Sequence, residues 1–192
     1  MKIAISSLPK NGWWNEGIKA YHDNDMMSDG AIPNQSLLKK EHEGLIKILN
    51  KHCLDTVSIP FDGGLEKNKK YDFVFMRDHF LCNTRKEIVM CNMKLFERMN
   101  EGKFTISFLE NLNYKISHLG EDCVAEGGEF FYLSKENILL AGQNRNNLKG
   151  AEQMAEKLNV SNLFIINSSG YHLDTSIAPL FNSEYDLSLI HI

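Results

Sequence analysis

The stretch from Glu129 to Ile166 constrains the fold more than any other. It reads "EFFYL", the polar turn "SKEN", "NILLA", then "LKGAEQMAEKL" and "LFII". Two short apolar runs around a polar turn predict a β-hairpin. The next segment places Leu148, Ala151, Ala155 and Leu158 on one helical face. "LFII" is a continuous apolar run, as in a buried strand. The order is strand, strand, helix, strand.

Looser versions of this order precede it. "FVFM" and "EIVMC" predict a hairpin that "FTISFL" closes. Before them, "KIAIS" predicts a strand, and residues 13–33 read as a long loop. A helix is expected from a cap at Asn34 or Ser36, with Leu38, Leu45 and Leu49 on one face and Ile46 beside them. "DTVSIP" predicts a strand and "DGGLEKNKK" a polar connector. Units recurring at about fifty residues point to an α/β, propeller-like array.

Bulk properties exclude several function classes. Twenty-one Lys and Arg against 25 Asp and Glu give a net charge of −4, with no basic footprint for nucleic acid and no polybasic membrane patch. The N-terminal apolar run is too short for a signal peptide or a membrane span. Cys53, Cys82, Cys91 and Cys123 form no closely spaced pair, so reduced thiols and a cytoplasmic location are expected, without a zinc site.

Several polar residues stand where strands end. Arg77 and Asp78 follow "FVFM". Glu126 precedes two glycines and a strand. His172 and Asp174 flank Leu173 in "GYHLDT" and share a face if that stretch is extended. Singly, each has an ordinary reading as a turn, loop or structural group. In a radial array, equivalent unit ends converge, which would gather Asp78, Glu126, His172 and Asp174 around one pocket. One imidazole with three carboxylates could suit a divalent cation.

"FMRDHF", "EGGEFFYL", "GQNRNN" and "HLDTSIAPL" together resemble the guanidino-group-modifying enzymes of the pentein fold: arginine deiminase, dimethylarginine dimethylaminohydrolase and the amidinotransferases. The resemblance runs from about Asn34 to Phe181, where "NQSLLKKEHEGLIKIL" is similar to the family's first helix. It implies an α/β-propeller of ββαβ units, here incomplete, with about three of five units plus the start of the fourth. It implies Asp78 and Asp174 as carboxylates gripping a guanidinium, Glu126 as an acid beside it and His172 as the general acid/base. Arg145 and Arg98 would hold the substrate carboxylate. The expected partner is a small guanidino substrate, with no cofactor, no metal, no nucleic acid and no membrane. Two departures bear on the substrate: Glu129 stands where the family has Asp, and "GQNRNN" differs from Ser-x-Arg-Thr. Asp174 leans towards the deiminases.

The resemblance further implies a cysteine nucleophile in a fifth unit, which none of the four cysteines supplies. The last six residues, "LSLIHI", read either as an apolar strand or as the translation of CTGTCTCTTATACACATC, a transposon-end sequencing adapter. The expectation is therefore a partial domain over residues 1–186, an artefact over 187–192, and a chain without turnover or good solubility by itself. For the complete protein the leading reading is hydrolysis of arginine or a methylated arginine to a ureido product. Amidinotransfer and a non-catalytic pentein-fold binding protein are the alternatives. The oligomeric state is left open.

Overall fold

The computed structural model describes residues 2–14, 29–52, 55–181 and 187–191. Most of the long loop expected over residues 13–33, and Cys53, lie outside the described residues. The chain forms two compact units, Met1–Met76 and Arg77–Ile192. The fold is mixed α/β, with four small sheets among the described residues.

In Met1–Met76, β1 (Lys2–Ser6) pairs in parallel with β2 (Asp55–Ile59), Lys2 opposite Asp55 and Ser6 opposite Ile59. The connection is α1 (Gln35–Lys51), which starts where expected: Asn34 caps it by accepting the Leu37 N–H at 3.1 Å. No α1 residue is buried, and Leu37, Leu45 and Ile48 are 49–59% exposed. A two-stranded sheet offers too little surface to cover a helix of this length. "DGGLEKNKK" is not simply a connector. It forms α2 (Gly63–Lys67), because Asp62 accepts the N–H groups of Gly64 and Leu65. Ile59, Phe61, Leu65, Tyr71 and Phe73 are buried.

Arg77–Ile192 contains the strand, strand, helix, strand order twice. The first copy is β3 (Phe80–Cys82), β4 (Glu87–Met90), α3 (Lys103–Asn111) and β5 (Lys115–His118). The second is β6 (Phe130–Leu133), β7 (Ile138–Gly142), α4 (Leu148–Leu158) and β8 (Asn162–Ile166). In both, the middle strand pairs antiparallel with the first and parallel with the last. A final antiparallel pair joins β9 (Ile177–Phe181) and β10 (Leu187–His191).

Two expectations for the first copy are corrected. "FVFM" is not a strand: Tyr71–Val74 and Met76–Asp78 are 3-10 turns, and the hairpin partner of β4 is Phe80–Cys82. "FTISFL" is helical, and Lys115–His118 closes the copy. Thr105 and Leu109, four residues apart, bury the same face of α3, and Thr105 Oγ1 donates to the Gly102 carbonyl at 2.7 Å.

Both copies share one core. Val89 of β4, Leu139 and Ala141 of β7, and Ala151, Met154, Ala155 and Leu158 of α4 pack together. Leu140 faces a different cluster with Leu133 and Leu173, as the period-two alternation of a strand requires. Gly150 lets α4 close in: a Cβ there would lie 2.1 Å from the Val124 carbonyl oxygen. The core thus fixes the starts of β3 and β6, where the polar residues stand.

Candidate active site

Three stretches of the Arg77–Ile192 unit meet at one cluster of acids and bases. They are the turn ending at Asp78, Glu126 with the 3-10 turn Gly127–Glu129, and His172 with the 3-10 turn Leu173–Thr175. Gly127 and Gly128 make the approach possible. A Cβ on Gly127 would lie 1.9 Å from the Arg77 carbonyl oxygen. One on Gly128 would lie 2.6 Å from His172 Nδ1 and 2.9 Å from Asp78 Oδ1. No side chain fits between them.

His172 Nε2 lies 2.7 Å from Glu126 Oε2, and its Nδ1 lies 3.8 Å from Asp78 Oδ1. An ionised carboxylate only accepts, so Nε2 carries the proton. Glu126 Oε1 accepts the Lys94 N–H at 2.7 Å, and the Glu126 N–H donates to Asn146 Oδ1 at 2.9 Å. Asp78 accepts the Gly128 N–H on Oδ1 at 3.2 Å and Arg98 on Oδ2 at 2.8 Å. Asp78, Glu126 and His172 are all buried.

Burial opposes charge on both members of the His172–Glu126 pair, and their mutual attraction outweighs it. For Glu126, the His172 hydrogen bond, the Lys94 N–H and the Arg98 charge hold the carboxyl below its ordinary value. For His172, the Glu126 bond and the charges of Asp78, Glu126 and Asp174 hold the imidazole above its ordinary value. Between the ordinary values of 4.5 and 6.5 these directions favour an imidazolium hydrogen-bonded to a carboxylate.

The extended conformation expected of "GYHLDT" holds at His172 (φ −128°, ψ 160°) but ends there. From Leu173 the chain turns, with Leu173 buried. Asp174 consequently sits on a turn, and its Oδ2 accepts Arg77 Nε at 2.5 Å.

Arg98 was expected to face a substrate carboxylate. It is 1% exposed and directs its guanidinium inward, at Asp78 and at Glu101 Oε2 (3.1 Å). Arg145 is also buried, its guanidinium stacked 4.3 Å over the Tyr171 ring. Asp78, Glu126, His172 and Arg98 are thus joined by direct contacts, while Asp174 and Arg145 have other partners.

Two further buried acids, Glu129 and Glu101, hold the site together. Glu129 accepts the Arg145 N–H at 2.5 Å and the Leu173 N–H at 3.0 Å, tying the loop after β7 to the turn after His172. Burial raises its pKa. Glu101 braces Arg98 and lies 3.5 Å from His79 Nε2. The "EGGE" motif marks Glu129 in the sequence only as a departure from the family's Asp, and Glu101 stands three residues after Arg98; neither spacing shows these contacts.

Among the described cysteines, Cys91 feels this cluster most. Burial first, then the Asp78 and Glu126 charges, raise its pKa well above the ordinary value, so it remains a thiol. Burial also raises Cys82. Among the described residues no cluster of three or more His, Cys, Asp or Glu could hold a metal ion, and no helix is long and apolar enough to cross a membrane.

Comparisons with known proteins place this arrangement. The arginine deiminase family matches residues 71–178. A dimethylarginine dimethylaminohydrolase variant from Pseudomonas aeruginosa, complexed with citrulline, shares 19% identity at a TM-score of 0.72, over 92% of this chain and 65% of that one. An AgrE mutant complexed with L-arginine shares 22% at 0.76, over 100% of this chain and 27% of that one. The N-terminal domain of ArgZ, a cyanobacterial arginine dihydrolase, covalently bound to a reaction intermediate, shares 20% at 0.70, over 99% and 65%. The chain spans less than two thirds of each of these structures. No curated protein sequence matches it. At these identities the structures speak for the fold alone, but the family match covers more than half of the chain, and this protein belongs to the arginine deiminase family, among the guanidino-group-modifying enzymes of the pentein superfamily.

Proposed function

We propose that the complete protein hydrolyses the guanidino group of arginine or a methylated arginine to a ureido product such as citrulline. The observation that carries this reading is the buried His172–Glu126 pair beside the Asp78 carboxylate. A guanidinium is a planar cation, and carboxylates match its N–H fork through charge-assisted hydrogen bonds. Asp78 and Asp174 grip it, and Glu126 adds negative charge beside it. With Nε2 bound to Glu126, Nδ1 is the nitrogen of His172 left to exchange protons with substrate.

The route is covalent. A cysteine thiolate attacks the central carbon, and the guanidino carbon becomes tetrahedral. His172 protonates the departing amine, which leaves as ammonia or an alkylamine. His172 then deprotonates the water that breaks the C–S bond. Burial raises the pKa of Cys82 and of Cys91, which argues against either of them as that thiolate. Arg98 acts on the substrate through Asp78, and Arg145 is the candidate for the substrate carboxylate. The ββαβ units stand as blades of an incomplete α/β-propeller, about three of five plus the start of a fourth.

The test is an assay of the protein translated from the uninterrupted reading frame, with arginine and its methylated forms. Citrulline appearing together with ammonia or alkylamine is the expected result, with none from the 192-residue chain. Ornithine formed only when an acceptor amine is supplied would establish amidinotransfer instead.

A further inference from the structure

Arg77 precedes Asp78 in the chain but takes different partners. Its Nε donates to Asp174 Oδ2 at 2.5 Å and its second amino group to the Phe130 carbonyl at 2.7 Å. Its guanidinium carbon stands 5.0 Å over the Phe131 ring. Its own carbonyl oxygen lies where a Cβ on Gly127 would be, so the backbone is fixed as well. Asp174 makes no other hydrogen bond among the described residues, which leaves Oδ1 open. Asp78 likewise has Oδ2 on an arginine, Arg98, although its Oδ1 also accepts the Gly128 N–H. Each carboxylate assigned to the guanidinium therefore has one oxygen fixed by a protein arginine.

We propose that Arg77 is a positioning residue of the guanidinium site, holding one oxygen of Asp174 so that the other is presented to the substrate cation. This rests on the assignment of Asp174 given under the proposed function. The physical gain is preorganisation. A carboxylate on a short turn rotates about its side-chain bonds, and a substrate that had to stop that rotation would lose affinity. Arg77 stops it beforehand. A lysine could supply the charge but not the planar group that bonds to Asp174 and Phe130 while stacking on Phe131. Fold stability is not what these contacts secure: the Arg77 side chain is 48% exposed, and ion pairs so exposed contribute about 0–1 kcal/mol.

Calorimetric titration of the chain with L-arginine and L-citrulline tests this, using Arg77→Met, Arg77→Lys and Asp174→Asn. Arg77→Met should weaken arginine about tenfold, as should Asp174→Asn. Citrulline, which is neutral, should weaken less than twofold, and Arg77→Lys should recover part of the arginine loss. Equal losses for both ligands, with no recovery by lysine, would mean a merely structural role and overturn the proposal. Wild-type arginine affinity in Arg77→Met, with Asp174→Asn impaired, would overturn the role of Arg77 alone. Unimpaired arginine binding in Asp174→Asn would overturn the assignment of Asp174 itself.

Discussion

His172 and Glu126 depend on each other for their charge states. The raised pKa of His172 stabilises the fold below its ordinary value of 6.5 and is lost as pH rises through the raised value. The lowered pKa of Glu126 stabilises the fold above its ordinary value of 4.5 and is lost as pH falls through the lowered value. Both contributions are present between those ordinary values. Glu126→Gln keeps the shape but removes the anion, so burial should prevail and the His172 pKa should drop relative to wild type. A proton or nitrogen NMR titration of the imidazole reads this directly, and an unmoved midpoint would refute the coupling. At this scale the sequence exposes Asp78 at the end of an apolar run, Glu126 before two glycines, and His172 two residues from Asp174. It does not expose the pairing of Arg98 with Asp78 or of Arg77 with Asp174. Those depend on which direction a side chain takes once distant turns are packed, and residue spacing carries no such information.

The two ββαβ copies differ in how plainly the sequence announces them. "EFFYL", "NILLA", "LKGAEQMAEKL" and "LFII" switch from strand to helix periodicity and back, and all four elements form where expected, but the strand at "LFII" is not buried, with Phe164 and Ile165 exposed. "FVFM" and "FTISFL" are apolar runs too short for period to separate strand from helix. The deciding contacts for α3 are the i, i+4 pair Thr105 and Leu109. Asn147 illustrates how a cap serves more than its helix. Its Oδ1 accepts the N–H of Gly150 at 2.7 Å and of Val124 at 3.1 Å, and its amide donates to the Asp122 carbonyl at 2.8 Å. Asn147→Ala should therefore cost about 1–2 kcal/mol, the upper part of the range for a lost cap. The measurement is the urea midpoint at constant denaturant slope, and a change under a few tenths of a kcal/mol would contradict the bridging role.

The Arg77–Ile192 unit places a neutral histidine inside its ionic network. His79 is fully buried, and burial together with the Arg98 charge lowers its pKa to about 3, against a smaller upward effect from Asp78. The unfolded chain takes up this proton below about pH 6.5, while the folded chain does so only near 3. Stability should thus decline on acidification across that interval, by up to about 1.4 kcal/mol per pH unit from this group. His79→Gln should flatten the decline, as denaturant titrations at pH 7, 6, 5 and 4 would show; an unchanged slope would exclude His79 as the source. The cluster also has a kinetic consequence. Its hydrogen bonds join residues 46, 50 and 97 positions apart, whereas the β6–β7 hairpin closes over a short turn. Loop-closure entropy is lost before such distant contacts form. The hairpins can therefore zip early in refolding, while the constellation of acids and bases has to wait for both copies to dock, making it among the last parts of the molecule to be born and among the first to come apart.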